Sequence, residues 1–350
     1  MTEARELSPE ELQRLGPDRL LVRVQSIAYL AENVNAYEVV SPCGADLPAF
    51  AAGSHIDVFF RDGRIRQYSL CNNPRERRRY EFAVQREISG RGGSKAIFER
   101  VHVGRILAIS RPRNYFPLDA GGARSLLLAG GIGITPIIAM VRTLLDEGRP
   151  FRLYYCTRSR DRTAFFEEIE ALAARGLAWL YHDQGDPARG LDIAGLLRQH
   201  EAGTHLYYCG PQGFMRAVAQ ASSDWPQGAV HFEHFSPPDA VAAGGTARIS
   251  SGGLSDRDVE AEVSVEFQVK LARLGRTLDV PDDKSIVQVL RENGVEVATS
   301  CESGLCGTCR TRYLEGVPDH RDYILNDEER RSDILICCSR AKSPLLVLDL

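Results

Sequence analysis

The sequence predicts a multidomain chain: an N-terminal antiparallel β-barrel, a doubly wound α/β domain with a parallel sheet, and a small C-terminal α+β domain. Three observations lead there. The early residues alternate apolar and polar with period two and break at Gly, Pro and Asn. The middle alternates short apolar runs with helix-like stretches, about 25 residues from one run to the next, as parallel sheets require. A Pro-, Gly- and Ser-rich stretch then sets off a last segment with strands, one helix and a group of cysteines. At 350 residues the chain is too long for one ordinary core.

Taken in order, residues 1–19 are a polar extension of mixed charge, "MTEARELSPEELQRLG" at their start. They lack the apolar core of a signal peptide, and no apolar run reaches the ~18 residues of a membrane span. The net charge of -4 gives no sign of nucleic acid. We therefore expect a cytoplasmic protein without a membrane or nucleic-acid partner. There thiols stay reduced, and nine cysteines is an odd number, which weakens a disulfide reading. Residues 20–118 hold "LLVRVQ", "HIDVFF" and "YEFAVQR", the strands of the barrel.

Residues 119–235 hold "SLLLA" (125–129), "FRLYYC" (151–156), "LAWLYH" (177–182), "THLYYC" (204–209) and "AVHFE" (229–233), apolar enough to be covered on both faces. The first intervening helix is read with Thr135 as N-cap, Pro136 at its first position and Gly148 past its end. A strand order of 3-2-1-4-5 would put the loops after strands one and four on one crevice. Residues 236–262 read as a flexible linker, and 263–350 as the last domain, opening with the strictly alternating "VSVEFQVKL".

In that domain "CESGLCGTC" places Cys301, Cys306 and Cys309 with four and two residues between them. A structural zinc site usually takes two CxxC-like pairs, and only "CGTC" is one. A redox CxxC would leave Cys301 unexplained. C-x4-C-x2-C with a distant Cys is the plant-type spacing of a [2Fe–2S] cluster, and "ICCS" supplies Cys337 and Cys338. Gly304 and Gly307 would let backbone amides approach the sulfurs. The segment, with "LEGVPDHRDYIL" after it, resembles the β-grasp ferredoxin end of the phthalate dioxygenase reductase and vanillate demethylase reductase family. The family's spacing makes Cys337 the fourth ligand and Cys338 its neighbour.

A one-electron cluster needs a donor. "GGIGITP" (130–136) joins the first parallel strand to its helix, where backbone N–H groups face a phosphate. Pro136 stands where GxGxxG has its third glycine, and "YCTRS" offers no acid for a ribose. GxGxxP instead resembles the ferredoxin–NADP reductase superfamily, in which a flavin barrel precedes the nicotinamide domain. The resemblance implies that Gly131, Gly133 and Thr135 meet the nucleotide phosphates. Cys209 and Gly210 of "YCGPQGF" would lie beside the nicotinamide, and Arg158 and Ser159 at the adenosine ribose. Arg160 and Arg162 leave a 2′-phosphate open, so NADH is a family inference.

In the barrel, "RQYSL" resembles the family's R-x-Y-S motif. Arg66 would meet the flavin phosphate, Tyr68 would cover the ring, and Ser69 would bond near its reactive nitrogen, with Gln67, Ala83, Val84 and Gln85 as neighbours. "GRGGS" resembles a second phosphate turn through Gly92, Gly93 and Ser94, and Phe235 of "HFEHF" would pack near the ring. The resemblance implies FMN; spacing alone leaves FAD open. "RERRR" (75–79) reads as a solvated turn.

The resemblance, from about residue 20 to the end, implies an NAD(P)H-dependent flavin iron–sulfur oxidoreductase. NADH gives a hydride to FMN, and electrons pass singly through the cluster to a separate Rieske-type terminal oxygenase that hydroxylates or demethylates an aromatic acid. Acid–base residues are not expected to be central, and the chain is expected to be a monomer. The last domain has 15 acidic and 12 basic residues, a mildly acidic docking face for a basic partner. Two alternatives stay open: a reductase for another iron oxygenase, and a redox-sensing flavo-iron–sulfur protein. A diffusing carrier would need only the last domain.

Overall fold

In a computed structural model, the chain is described over residues 19–60, 64–87, 93–119, 121–226, 228–235 and 266–350. It divides into two compact units, Met1–Phe235 and Ser236–Leu350. Residues 1–18 of the N-terminal extension, Gly92 of "GRGGS" and the linker lie outside the described residues.

The first unit opens with the predicted antiparallel sheet: β1 (Arg19–Ala31), β2 (Val34–Val40), β3 (Ser54–Phe59), β4 (Ile65–Ser69), β5 (Arg79–Gln85), β6 (Ile106–Ser110) and β7 (Arg113–Asn114). The order is β4-β3-β6-β1-β2-β5, with β7 on β3. β1 pairs β6 through its first residues and β2 through the rest, with register shifts at Val24/Ser26 and Tyr29/Ala31. Such bulges bend a long strand around a curved sheet. The two edges, β4 and β5, meet at an antiparallel bridge between Leu70 and Phe82. Val22, Val24, Tyr37, Ile56, Val58, Phe82 and Val84 fill the interior. Helix α1 (Gly93–Arg100) follows β5.

The second part of this unit is a parallel sheet of β8 (Arg124–Gly130), β9 (Phe151–Thr157), β10 (Ala178–His182), β11 (Thr204–Cys209) and β12 (Val230–Glu233). Its order, β10-β9-β8-β11-β12, is the expected 3-2-1-4-5. The helices between them are α2 (Ile134–Asp146), α3 (Phe166–Ala174), α4 (Ile193–Leu197) and α5 (Gln212–Ala221). α2 is buried along nearly its whole length because it packs both on the sheet and on barrel residues Ala52, Cys71, Ala83 and Phe116. Arg142 of α2 fastens the two parts. It donates to the carbonyl of Cys71 (2.8 Å), to Glu81 of β5 (3.2 Å) and to both oxygens of Glu168 on α3 (3.0 and 2.6 Å).

Two linked expectations fail here. α2 begins at Ile134 with Gly133 as its N-cap, so Thr135 and Pro136 are its second and third residues, inside the first turn, and the Thr135 hydroxyl donates to the carbonyl of Ile132 (3.0 Å). A 3-10 turn over Gly131–Gly133 runs straight into the helix. That turn needs Gly133 because a Cβ there would overlap the carbonyl of Cys209. Gly148 ends the helix as expected, at φ +63°.

The second unit holds β13 (Phe267–Leu271), β14 (Arg276–Val280), β15 (Arg310–Glu315), β16 (Pro318–Asp319), β17 (Asp333–Leu335), β18 (Arg340–Ala341) and β19 (Leu345–Leu348). The main sheet is mixed, in the order β14-β13-β19-β15-β17. Helix α6 (Ile286–Glu292) starts with a capping box between Ser285 and Gln288 and buries Ile286, Val287, Val289 and Leu290 on the sheet. This is the α+β arrangement expected of the C-terminal part.

Candidate functional site

The edge strands β4 and β5 carry "RQYS" and "FAVQ", so the barrel's seam is where the flavin motif falls. Arg66 lies directly over the start of α1, so close that a Cβ on Gly93 would overlap its side chain. Ser94 accepts a hydrogen bond from the amide of Glu87 (3.0 Å). A guanidinium beside a helix N-terminus suits a phosphate. Tyr68 stacks on Phe82 with ring centroids 5.4 Å apart, and burial pushes its hydroxyl well above the usual tyrosine range. Gln67 pairs across to Asp57. Ala83 and Val84 are buried and Gln85 is exposed.

In the nucleotide part, Gly131 takes φ +53° and its carbonyl accepts from Tyr155 (3.1 Å). Gly133 packs on Cys209 and Gly210, so the loops after β8 and β11 touch as the switch-point reading requires. Arg158 is exposed and Ser159 half-buried in the loop after β9. The carbonyl of Arg158 accepts from Gln184, that of Ser159 from Thr163. The two cations left open for a 2′-phosphate are engaged: Arg162 pairs with Glu32 (2.9 and 3.2 Å), and Arg160 sits 4.3 Å from the ring centre of Phe166. Phe235 is exposed at the end of the unit. In "RERRR", Arg79 meets Glu38, Glu76 and Glu81, a paired turn.

Sequence reasoning missed the group that joins these parts. Ser69 of β4 donates to Glu233 of β12 (3.3 Å). Burial raises the Glu233 carboxyl to about 8. Burial, then the nearby Glu233, raise the Cys209 thiol well above its ordinary value. His55 of β3, fully buried, stands 3.8 Å from Glu233 and stacks on Tyr115. Burial and then Arg113 hold it down to about 3, so it is neutral. The one signal available was a carboxylate at the end of the strand run "AVHFE".

In the second unit the four cysteines come together. Cys301 meets Cys306 and Cys337, and Cys337 also meets Cys309. The Cys301 thiolate position accepts from the amides of Ser303 and Leu305, and Cys306 from that of Cys301, each at 3.4 Å. Among the described residues no three such side chains converge as around a single metal ion. Cys337 touches both Cys301 and Cys309, so the four thiols form one connected group, Cys306–Cys301–Cys337–Cys309, the number that two irons taking two thiolates each require. Cys338 meets Cys337 as well and donates to the carbonyl of Leu335 (3.6 Å). Cys306 is drawn down to about 6, first by the Cys301 thiol and also by Thr308. Gly304 takes φ +75°, and a Cβ there would come within 2.8 Å of the Cys338 sulfur.

A barrel whose seam meets a parallel nucleotide sheet, in one chain with a four-thiol α+β unit, defines a modular NAD(P)H-dependent iron–sulfur oxidoreductase. The family models agree: residues 127–220 match an oxidoreductase NAD-binding domain and 269–342 a 2Fe-2S iron-sulfur cluster binding domain. The chain belongs to the phthalate dioxygenase reductase and vanillate O-demethylase reductase family. It is 51% identical over 331 residues to the reductase subunit of tert-butanol monooxygenase / tert-amyl alcohol desaturase of Aquincola tertiaricarbonis, covering 95% of this chain and 96% of that one. It is 41% identical to a vanillate O-demethylase oxidoreductase of Pseudomonas putida, covering 91% and 96%. Among solved structures, phthalate dioxygenase reductase, described as modular for electron transfer from pyridine nucleotides to [2Fe-2S], matches with TM-score 0.69 and 40% identity over 97% of this chain and 99% of that one. No described helix is long and apolar enough to cross a membrane.

Proposed function

We propose that the chain is the monomeric reductase of a two-component oxygenase system and passes electrons from NADH through FMN and [2Fe–2S] to a separate Rieske-type oxygenase. The observation that carries this reading is the meeting of Ser69, Cys209 and Glu233 where barrel and nucleotide sheet join, in a chain whose other unit gathers four thiols. We take the flavin barrel as residues 20–118, the nucleotide domain as 119–235, the linker as 236–262 and the ferredoxin domain as 263–350, in the cytoplasm. When bound, FMN divides the two electrons of a hydride into single electrons that the cluster can carry.

The chain's residues supply position and charge. Arg66, Gly93 and Ser94, with Gly92, would hold the FMN phosphate; Gln67, Tyr68, Ala83, Val84, Gln85 and Phe235 would hold its ring. Gly131, Gly133 and Thr135 would face the nucleotide phosphates, Arg158 and Ser159 the ribose, and Cys209 and Gly210 the nicotinamide. The engagement of Arg160 and Arg162 supports NADH over NADPH. At neutral pH Glu233 keeps its proton, raised as it is to about 8, and with the Ser69 hydroxyl can hold or hand on a proton at that point. Cys301, Cys306, Cys309 and Cys337 would bind the irons, and plant-type clusters near about -400 mV can reduce an iron oxygenase. The oxygenase chooses the substrate: named relatives serve vanillate and tert-butanol systems.

The test is an anaerobic visible spectrum of the purified protein before and after stoichiometric NADH, followed by mixing with a Rieske-type oxygenase. Flavin and iron–sulfur bands should both bleach, and the oxygenase's Rieske signal should appear by EPR. A flavin that bleaches over a colourless thiol unit would overturn the reading.

A further inference from the structure

The run "LEGVPDHRDYIL" has no role in the route above, yet its centre touches both segments that carry cysteines. On one side, the amide of Tyr323 donates to the carbonyl of Gly304 (3.1 Å), and the α-carbon of Asp322 would lie 3.2 Å from a Cβ on Gly304. Gly304 stands between Cys301 and Cys306. On the other side, the amide of Arg321 donates to the Ser339 hydroxyl (3.1 Å), two residues past Cys337. Asp319 pairs with Arg340 across β16 and β18 and accepts from the Arg321 guanidinium (2.7 Å). Arg340, itself buried, donates to the carbonyls of Lys284 (2.9 Å) and Pro281 (3.0 Å) ahead of α6.

At the centre of this network is the Asp322 carboxylate, whose side chain is 0% exposed. One oxygen accepts from the amides of Ile324 (3.2 Å) and Leu325 (2.8 Å) and closes the turn that follows. The other lies 3.6 Å from His320 and has no hydrogen-bond partner among the described residues; Arg330 is 3.6 Å away on the first oxygen. His320 is held in turn by the carbonyl of Arg330 (3.2 Å).

We propose that residues 319–323 form a clasp that keeps the two cysteine-bearing segments in register. Asp322 is its positioning residue and sets how firmly the cluster is held and at what potential it is reduced. The proposal rests on Cys301, Cys306, Cys309 and Cys337 being the ligands.

Two physical reasons support it. Four ligands from two separate segments hold a cluster only if the segments are fixed to each other, and groups behind the ligands do that work in metal sites generally. A buried carboxylate also opposes an added electron, so it lowers the potential of a cluster nearby.

The experiment uses the full chain as Asp322→Asn, Asp322→Ala and Cys306→Ser. Cluster content, its loss to a chelator and its EPR-monitored potential are measured, with NADH–ferricyanide turnover reporting the integrity of the first unit. Asp322→Ala should lose the cluster about 10- to 100-fold faster, the range found for such supporting groups. Asp322→Asn keeps an oxygen for the two amides but not the charge. It should load with iron and be reduced at a higher potential. Retention and potential equal to the unsubstituted protein in both variants would overturn the clasp. A normal cluster in Cys306→Ser would instead remove the ligand assignment beneath it. If Asp322→Ala assembles no cluster, the potential of Asp322→Asn decides.

Discussion

The cysteine loop gathers three thiols within nine residues, whereas the junction at Ser69, Cys209 and Glu233 joins side chains up to 164 positions apart. The loop depends on local geometry: glycines at positive φ and amides aimed at sulfur. The junction depends on two sheets packing through α2, and burial raises both the Cys209 thiol and the Glu233 carboxyl there. A redox site built locally can be altered alone, while one assembled from distant strands responds together with the fold around it.

Cys306→Ser should break that contrast most severely if the two regions are not separable. We expect loss of the cluster and of cytochrome c reduction, with the flavin still bleached by NADH. Intact cytochrome c reduction in this variant would sink the proposed electron route. Next in size is Arg66→Ala. Charge-assisted hydrogen bonds contribute about 1.5–3 kcal/mol, so flavin binding should weaken about 10- to 100-fold while cluster absorbance stays unchanged. Flavin retention by dialysis checks it, and unchanged retention removes Arg66 from the site.

Glu233 tests the junction's coupling to the fold. Its carboxyl, raised to about 8, keeps a proton in the folded state over a range where the unfolded chain has lost it. The stability this contributes is full at low pH and is lost as pH rises toward and through about 8. His55 acts in the opposite sense: lowered to about 3, it costs stability as pH falls below the ordinary histidine range. Glu233→Gln should therefore flatten the fall of a Tm-versus-pH profile between pH 4.5 and about 8 by a few degrees and leave the slope above about 8 as it was. Parallel profiles for the two proteins would remove Glu233 as the titrating group.

The same contrast explains what could be read from sequence. The cysteine spacing was legible because four-and-two separation is itself the ligand geometry. A parallel sheet followed from apolar runs joined by helices; its order was an assumption that the structure bears out, and "GGIGITP" with "YCGPQGF" located the crevice because each loop follows its own strand. Thr135 was misread as a cap because its residue type and the following proline fit one; only the packing of Gly133 on Cys209 shows that the turn starts earlier. His55 carried no pattern and Glu233 only its place at the end of a strand run, since a carboxylate or imidazole within a strand acquires meaning from its partner. Glu32, which holds Arg162, was equally hidden in the turn between β1 and β2.

Ser285→Ala asks whether the second unit is as local as its loop suggests. Ser285 caps α6 by accepting from the amide of Gln288 (3.2 Å), and the Gln288 side-chain oxygen accepts in turn from the Ser285 amide (2.8 Å). Removing that hydroxyl should cost about 1 kcal/mol of helix stability. The helix reaches the ligand segment through the amide of Val287, which donates to the carbonyl of Ile336 (3.3 Å), next to Cys337. If the thiols are fixed chiefly by their own loop and by residues 319–323, cluster loss to a chelator should change less than twofold. A tenfold faster loss would mean that α6 holds Cys337 in place, and that the cysteine site, like the junction, is assembled by the fold.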